Sequence, residues 1–309
     1  MTSRLTLKEF ADLFGIDAST MPQVCVDMIN KGTWGYAPYP TPERDQIILD
    51  FLRRIRDRQF SFVTDGDKKR WIEGWGENLK GFQQSSGDLD ALLPKYIRPN
   101  MPVRLFGDFV KTEDPFFEKH WYEVFREWLF LTFFKGFDHI FEFGCGSGFN
   151  VARLAELYPA ATVHGLDWAE PSVEIVESLR KVKGLKTHGH LFDFFNPDYS
   201  IEIPKNSVVV TVGALEQTGE NNAKFLEFLM KKRPALVVHV EPTYDWYDPN
   251  SLIDHLAITA HELRNFWRGY HPRLMKLKDE GKVEILKTKR AFFGSLVLEG
   301  YSQTIWRPV

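Results

Sequence analysis

Residues 140–150 read Ile-Phe-Glu-Phe-Gly-Cys-Gly-Ser-Gly-Phe-Asn, and this stretch narrows what the chain can fold into more than any other. A short apolar strand (Ile140, Phe141, Phe143) meets glycines at alternate positions, Gly144, Gly146 and Gly148. Apolar residues at helical spacing follow at once: Val151, Leu154, Ala155 and Tyr158. A strand passing through glycines into a helix start opens an α/β unit. Glycine lets the backbone turn sharply and a ligand approach closely. The first N–H groups of the helix lack partners within it and carry the positive end of its dipole. The expectation is a pocket for a nucleotide-like ligand.

The spacing discriminates between ligands. A dinucleotide fingerprint, G-x-G-x-x-G, would need its third glycine where Phe149 stands. The chain reads Glu142-x-Gly144-x-Gly146-x-Gly148 instead. A carboxylate two residues before the first glycine suits a ligand carrying an ammonium and a sulfonium, and repels a pyrophosphate. The pattern resembles motif I of the class I S-adenosylmethionine-dependent methyltransferases. The order of elements across roughly residues 115–309 resembles them too: a parallel Rossmann-like sheet finished by an antiparallel C-terminal strand. What the resemblance implies is an S-adenosylmethionine cofactor and methyl transfer with no metal.

The order itself is read from periodicity. Asp114-Pro115 opens a helix with Phe117, Trp121, Val124, Phe125, Trp128 and Leu129 inward, leading into a strand at 139–143. Further strands are expected at 162–166, 186–191, 207–212 and 235–240, the last two nearly all apolar, as buried parallel strands are. Between them fall a helix from Pro171 to just before Gly184 and another at about 220–232. Helices at 250–268 and 271–280 and β-rich stretches at 282–293 and 300–307 close the chain. The fold class is thus α/β, a doubly wound, mostly parallel sheet (111–309), preceded by a mainly helical extension (1–110). In the extension Thr6 caps one helix and Thr41-Pro42 opens another, with Ile47, Ile48, Phe51, Leu52 and Ile55 on one face. Gly32–Pro40 and Trp71–Asn78 read as aromatic loops, which either cover the site or, with the rest of the extension, form a dimer interface.

Composition sets outer limits. The 309 residues carry 43% hydrophobic and 26% charged side chains, enough for a sizeable core. A net charge of −3 disfavours a nucleic-acid partner, and no apolar run is long enough for a bilayer. Two cysteines, Cys25 and Cys145, one of them inside the glycine turn, fit a reducing, cytoplasmic setting.

Ligands of such sheets bind past the carboxyl ends of the strands, where strand order reverses. The residues there are the candidates. On the cofactor side they are Glu142, Gly144, Cys145, Gly146 and Gly148 after the first strand, Asp167 and Trp168 after the second, and Gly213 after the fourth. Asp167 is placed to accept ribose hydroxyls, and Trp168 to lie on a flat base. Asp193 and Phe194, after the third strand, match the acid and apolar neighbour that the resemblance implies for the adenine; a turn before Asn196-Pro197 explains Asp193 equally well. For the base that an oxygen acceptor requires, Glu216, Glu241, His255 and His261 are the candidates. His239 shares a strand face with Glu241 and reads as a core residue. Glu216, Glu241 and Asp245 together could alternatively hold a cationic acceptor. The expected acceptor is a small or sugar-like molecule methylated on oxygen; the alternatives are N-methylation of a cation or protein, and a non-catalytic cofactor-binding subunit.

Overall fold

The computed structural model describes residues 2–60 and 68–309. In chain order its strands are β1 (Ser3–Arg4), β2 (Gly35–Pro38), β3 (Val103–Leu105), β4 (Asp108–Thr112), β5 (His139–Phe143), β6 (Thr162–Asp167), β7 (Thr187–Leu191), β8 (Ser207–Val212), β9 (Leu236–Val240), β10 (Val283–Lys289), β11 (Phe293–Gly294) and β12 (Gln303–Pro308). The helices are α1 (Leu7–Phe14), α2 (Gln23–Lys31), α3 (Thr41–Arg56), α4 (Lys69–Gln84), α5 (Phe117–Phe133), α6 (Phe149–Leu157), α7 (Glu170–Lys183), α8 (Ala223–Lys232), α9 (Leu252–Arg264) and α10 (Tyr270–Asp279).

Successive side chains of a strand point to opposite faces. In β8, Val208 and Val210 enter one core and Val209 the other. A strand apolar on both faces has to lie inside a sheet covered on both sides. Among the described residues seven strands form that sheet, in the order β10-β12-β9-β8-β5-β6-β7. β5 pairs in parallel with both β6 and β8, while β12 runs antiparallel to β9 and β10. The order reverses between β5 and β8, so the glycine turn after β5 sits at the switch point. This is the Rossmann-like, mostly parallel sheet with antiparallel C-terminal strands.

A smaller antiparallel sheet, β1-β2-β4-β3-β11, joins the two ends of the chain. β11 lies far along the sequence yet pairs with β3, Phe293 opposite Leu105. Above it α5 is buried on nearly every side. Trp121 stacks on Phe293 at 3.8 Å, and Phe14 of α1 stacks on Trp128 at 4.9 Å. Each ring buried in this way contributes about 1.5–3 kcal/mol. The first helix is therefore part of the main core rather than an appendage.

Four expectations are corrected here. Residues 71–78 are not a loop but lie within α4. Trp71, Trp75, Asn78 and Phe82 recur at helical spacing on its inner face, and this outweighs the roughly 1 kcal/mol that each internal glycine costs. Residues 35–38 are strand β2, paired with β4, and Trp34 is buried against Phe10 and Phe117. The helix expected at 250–268 stops at Asn265, which takes the left-handed conformation (φ 54°) that ends α9. The stretch expected as 282–293 divides between the two sheets. Among the described residues no helix is long and apolar enough to cross a membrane.

Candidate active site

The glycine turn works by close approach. Gly144 has φ +72°, and a Cβ there would stand 2.2 Å from that of Ala214. Gly146 has φ +52°, and a Cβ would meet the Trp75 ring at 2.8 Å. α4 therefore lies directly over the turn. A cavity of about 270 Å³ opens beside it, lined among others by Glu142, Gly144, Gly146, Asn150, Tyr96, Glu118, Glu216, Arg264 and Tyr301. A second cavity of about 60 Å³ adjoins it, bounded by Asp167, Trp168, Phe192, Phe194 and Phe195. Trp71, Trp75, Gly144, Gly213 and Gln217 border both.

Glu142 is the key group beside the glycine turn. It is 2% exposed, and Asn150 donates to its Oε1 at 2.8 Å. Asn150 is held in turn by the Tyr122 hydroxyl at 2.6 Å. The second carboxylate oxygen, Oε2, is buried with no partner among the described residues. Burial pushes the carboxyl up to about 8. A buried carboxylate oxygen left unpaired is costly, and a cationic ligand group in the cavity removes that cost.

Asp167 ends β6 at the rim of the smaller cavity. Its two oxygens accept the N–H groups of Gly146 (2.9 Å) and Ala169 (3.0 Å), so it also shapes the glycine turn. Burial raises it to about 6 against those bonds. Trp168 and Phe194 form apolar walls, the Lys68 ammonium lying 5.4 Å from the Trp168 ring. Gly213 (φ +58°) exposes its backbone to both cavities.

Three cofactor-side expectations are revised. Asp193 borders neither cavity; it accepts the Phe195 N–H at 2.9 Å and closes the turn before Asn196. Gly148 caps α6, facing Ile175 rather than the cavity. Cys145 borders the larger cavity, but its sulfur packs 3.0 Å from where a Gly165 Cβ would stand, and both cysteines are free and buried.

Of the candidate bases, Glu216 alone lines a cavity. Burial, and then the neighbouring Glu241, push it up to about 8; Gln217 donates to it at 2.7 Å. Glu241 is engaged elsewhere: its carboxylate accepts the backbone N–H groups of Ala214, Leu215 and Glu216 at 3.1–3.2 Å. It therefore anchors the turn after β8 and stands too enclosed, at 1% exposure, to meet an acceptor. His255 is on the exposed side of α9. His261 is fully buried among Tyr244, Tyr247 and Phe266, and burial lowers it to about 3, so it stays neutral and away from the cavity. His239 is held in the core by Thr211 and Tyr270. Asp245 borders neither cavity, so the three-acid cluster for a cation does not assemble.

Sequence reasoning missed Arg70, Tyr96, Glu118, Tyr122, Asn150, Arg264 and Tyr301, all at the larger cavity. Tyr301 donates to Glu118 at 3.0 Å, and burial raises Glu118 to about 7. The one available signal was polarity out of place, with Tyr122 on the inward side of α5 and Asn150 in the first turn of α6.

No family model matches the chain, and no curated relative matches it. Several solved structures resemble it in fold. Human N-acetylserotonin methyltransferase, solved with S-adenosylmethionine, aligns over 83% of this chain and 66% of its own at 12% identity and a TM-score of 0.47. LaPhzM aligns over 62% and 59% at 15% identity and 0.42. The plantazolicin methyltransferase BpumL, solved with a substrate analogue and S-adenosylhomocysteine, aligns over 60% and 80% at 16% identity and 0.41. The chain thus spans about three fifths of the length of LaPhzM. Scores this low do not place the chain among these enzymes.

Proposed function

We propose that the protein is an S-adenosylmethionine-dependent methyltransferase acting on a small molecule, with oxygen as the accepting atom. The observation that carries this reading is the unpaired, buried Oε2 of Glu142 beside a glycine turn. That atom calls for a cation, such as the cofactor's ammonium, and is wrong for a pyrophosphate. Bound there, the cofactor supplies a methyl group already activated on a sulfonium.

The chain's residues do the rest. Gly144 and Gly146 let the ligand lie against bare backbone. Asp167 has lone pairs left over from its two backbone bonds for the ribose hydroxyls, and Trp168, Phe194 and Phe195 offer flat apolar walls for the adenine. Glu216 accepts the proton that an acceptor hydroxyl gives up; a base works best with a pKa near the operating pH, and burial has moved this one to about 8. α4 closes the cavity from above with Trp71 and Trp75, holding water off the reacting atoms. The first 110 residues thus serve as a lid through α4, not through residues 33–39.

Titration calorimetry with S-adenosylhomocysteine and, separately, NADH tests the reading. Micromolar binding of the first and none of the second supports it. Binding of NADH alone would make the protein a dinucleotide enzyme and end the proposal.

A further inference from the structure

We propose that the larger cavity takes a small hydroxylated aromatic carboxylic acid, its carboxylate gripped by Arg264 and Arg70. The acid is there as methyl acceptor through a ring hydroxyl: that oxygen bonds the methyl carbon as the S–CH3 bond breaks to leave S-adenosylhomocysteine, and its proton goes to Glu216. This deepens the methyl-transfer reading and rests on it.

The other buried or half-buried arginines, of which Arg104 and Arg126 also keep one nitrogen without a partner, set the comparison for the half-buried Arg264. Arg290 is paired with Asp254 and Glu299, and Arg153 with Glu127. Arg104 and Arg126 donate to backbone carbonyls. Arg264 lines the cavity with its guanidinium 4.4 Å from the Phe266 ring centre and its Nε enclosed without a partner. Among the described residues no carboxylate lies within ion-pair reach of it, nor of Arg70, which also lines the cavity over Trp71. Arg54, half-buried on Phe60, adds a third positive charge near Arg264. An enclosed guanidinium N–H is normally partnered, and an anion in the cavity would give the Arg264 Nε the partner it lacks among the described residues.

The nearby acids do not fill that role. Glu118 is bonded to Tyr301, and Glu216, though it feels the charges of Arg264 and Arg70, is bonded to Gln217 and makes no ion pair with either among the described residues. Trp71, Tyr96, Phe266 and Tyr301 add aromatic walls beside aliphatic ones such as Ile97 and Leu298. A volume of about 270 Å³, shared with the amino-acid end of the cofactor, leaves room for about one ring. A flat carboxylate matches the planar guanidinium fork held on Phe266.

The test is a fluorescence titration of the full-length protein, since Trp71 and Trp75 border the cavity. The probes are salicylate, 3-hydroxybenzoate and 4-hydroxybenzoate, their carboxamides, and phenyl phosphate, each with and without S-adenosylhomocysteine. At least one acid is expected to bind about tenfold or more tightly than its amide. Arg264→Gln should erase that preference while leaving the S-adenosylhomocysteine affinity within about threefold. Arg70 is exposed on α4, so Arg70→Gln keeps the fold and should reduce the preference even if the first variant misfolds. Amides binding as well as acids, no acid binding at all, phenyl phosphate binding best, or a preference that survives both substitutions would each overturn the carboxylate site. Failure of S-adenosylhomocysteine to bind counts against the methyl-transfer reading instead; the acid–amide comparison without it still decides the carboxylate site.

Discussion

Two kinds of residue line the larger cavity: Glu142, Gly144 and Gly146 come from a single run at the carboxyl end of β5, whereas Arg70, Tyr96, Glu118, Glu216, Arg264 and Tyr301 come from separate stretches spread over more than two thirds of the chain. The first group is set by local backbone geometry, which a substitution breaks outright. The second is set by how helices and loops dock, so single changes there alter preference and rate before they alter the fold. The contrast separates holding a common ligand from choosing a particular one.

The sharpest way to break the contrast is Gly144→Ala. The left-handed backbone and the contact with Ala214 leave no room for a methyl group. Calorimetry should show S-adenosylhomocysteine binding weakened by about 100-fold or more; near-normal binding would mean that the turn is not the ligand seat. In the second group, Glu216→Gln should lower kcat by about 10²–10⁴ and leave cofactor affinity nearly unchanged. An equal loss in both would put Glu216 among the cofactor-binding groups. Trp75→Ala removes the ring from above Gly146 and is expected to weaken S-adenosylhomocysteine about tenfold. An unchanged Kd would leave α4 without a part in the site. The smallest effect is Gly76→Ala. Its backbone is helical, and the nearest atom to an added Cβ, on Pro171, is 3.9 Å away. Denaturant unfolding should show a gain of about 0.5–1 kcal/mol; a loss would contradict the helical reading of 71–78.

The same contrast explains what the sequence made legible. The sheet, its switch point and the glycine seat follow from residues close in sequence: apolar runs of strand length, Gly-rich turns, prolines at helix starts. The aromatic segment at 71–78 misled because Gly74 and Gly76 resemble loop punctuation, while its helical period shows only when Phe82 is counted in. Glu241 misled because an acid at a strand end before proline looks free; its three backbone bonds arise only once β8 and β9 are side by side. Arg264 carried no local signal at all, since only the docking of α9 beside the cavity separates it from a surface arginine.

Glu142 ties the account together, and proton linkage reads it directly. Its folded pKa, about 8, lies above the ordinary 4.5. The carboxyl thus favours the ligand-free fold fully below about pH 4.5, and that contribution is lost as pH rises through about 8. A ligand ammonium needs the ionised form, so binding at neutral pH must release the proton. The deciding measurement is calorimetry of S-adenosylhomocysteine binding at pH 7 in buffers of different ionisation enthalpy, for the native protein and Glu142→Gln. The account predicts close to one proton released per ligand bound, affinity rising up to about tenfold per pH unit below pH 8, and neither effect in the variant. No proton release by the native protein, or the same release by Glu142→Gln, would contradict it.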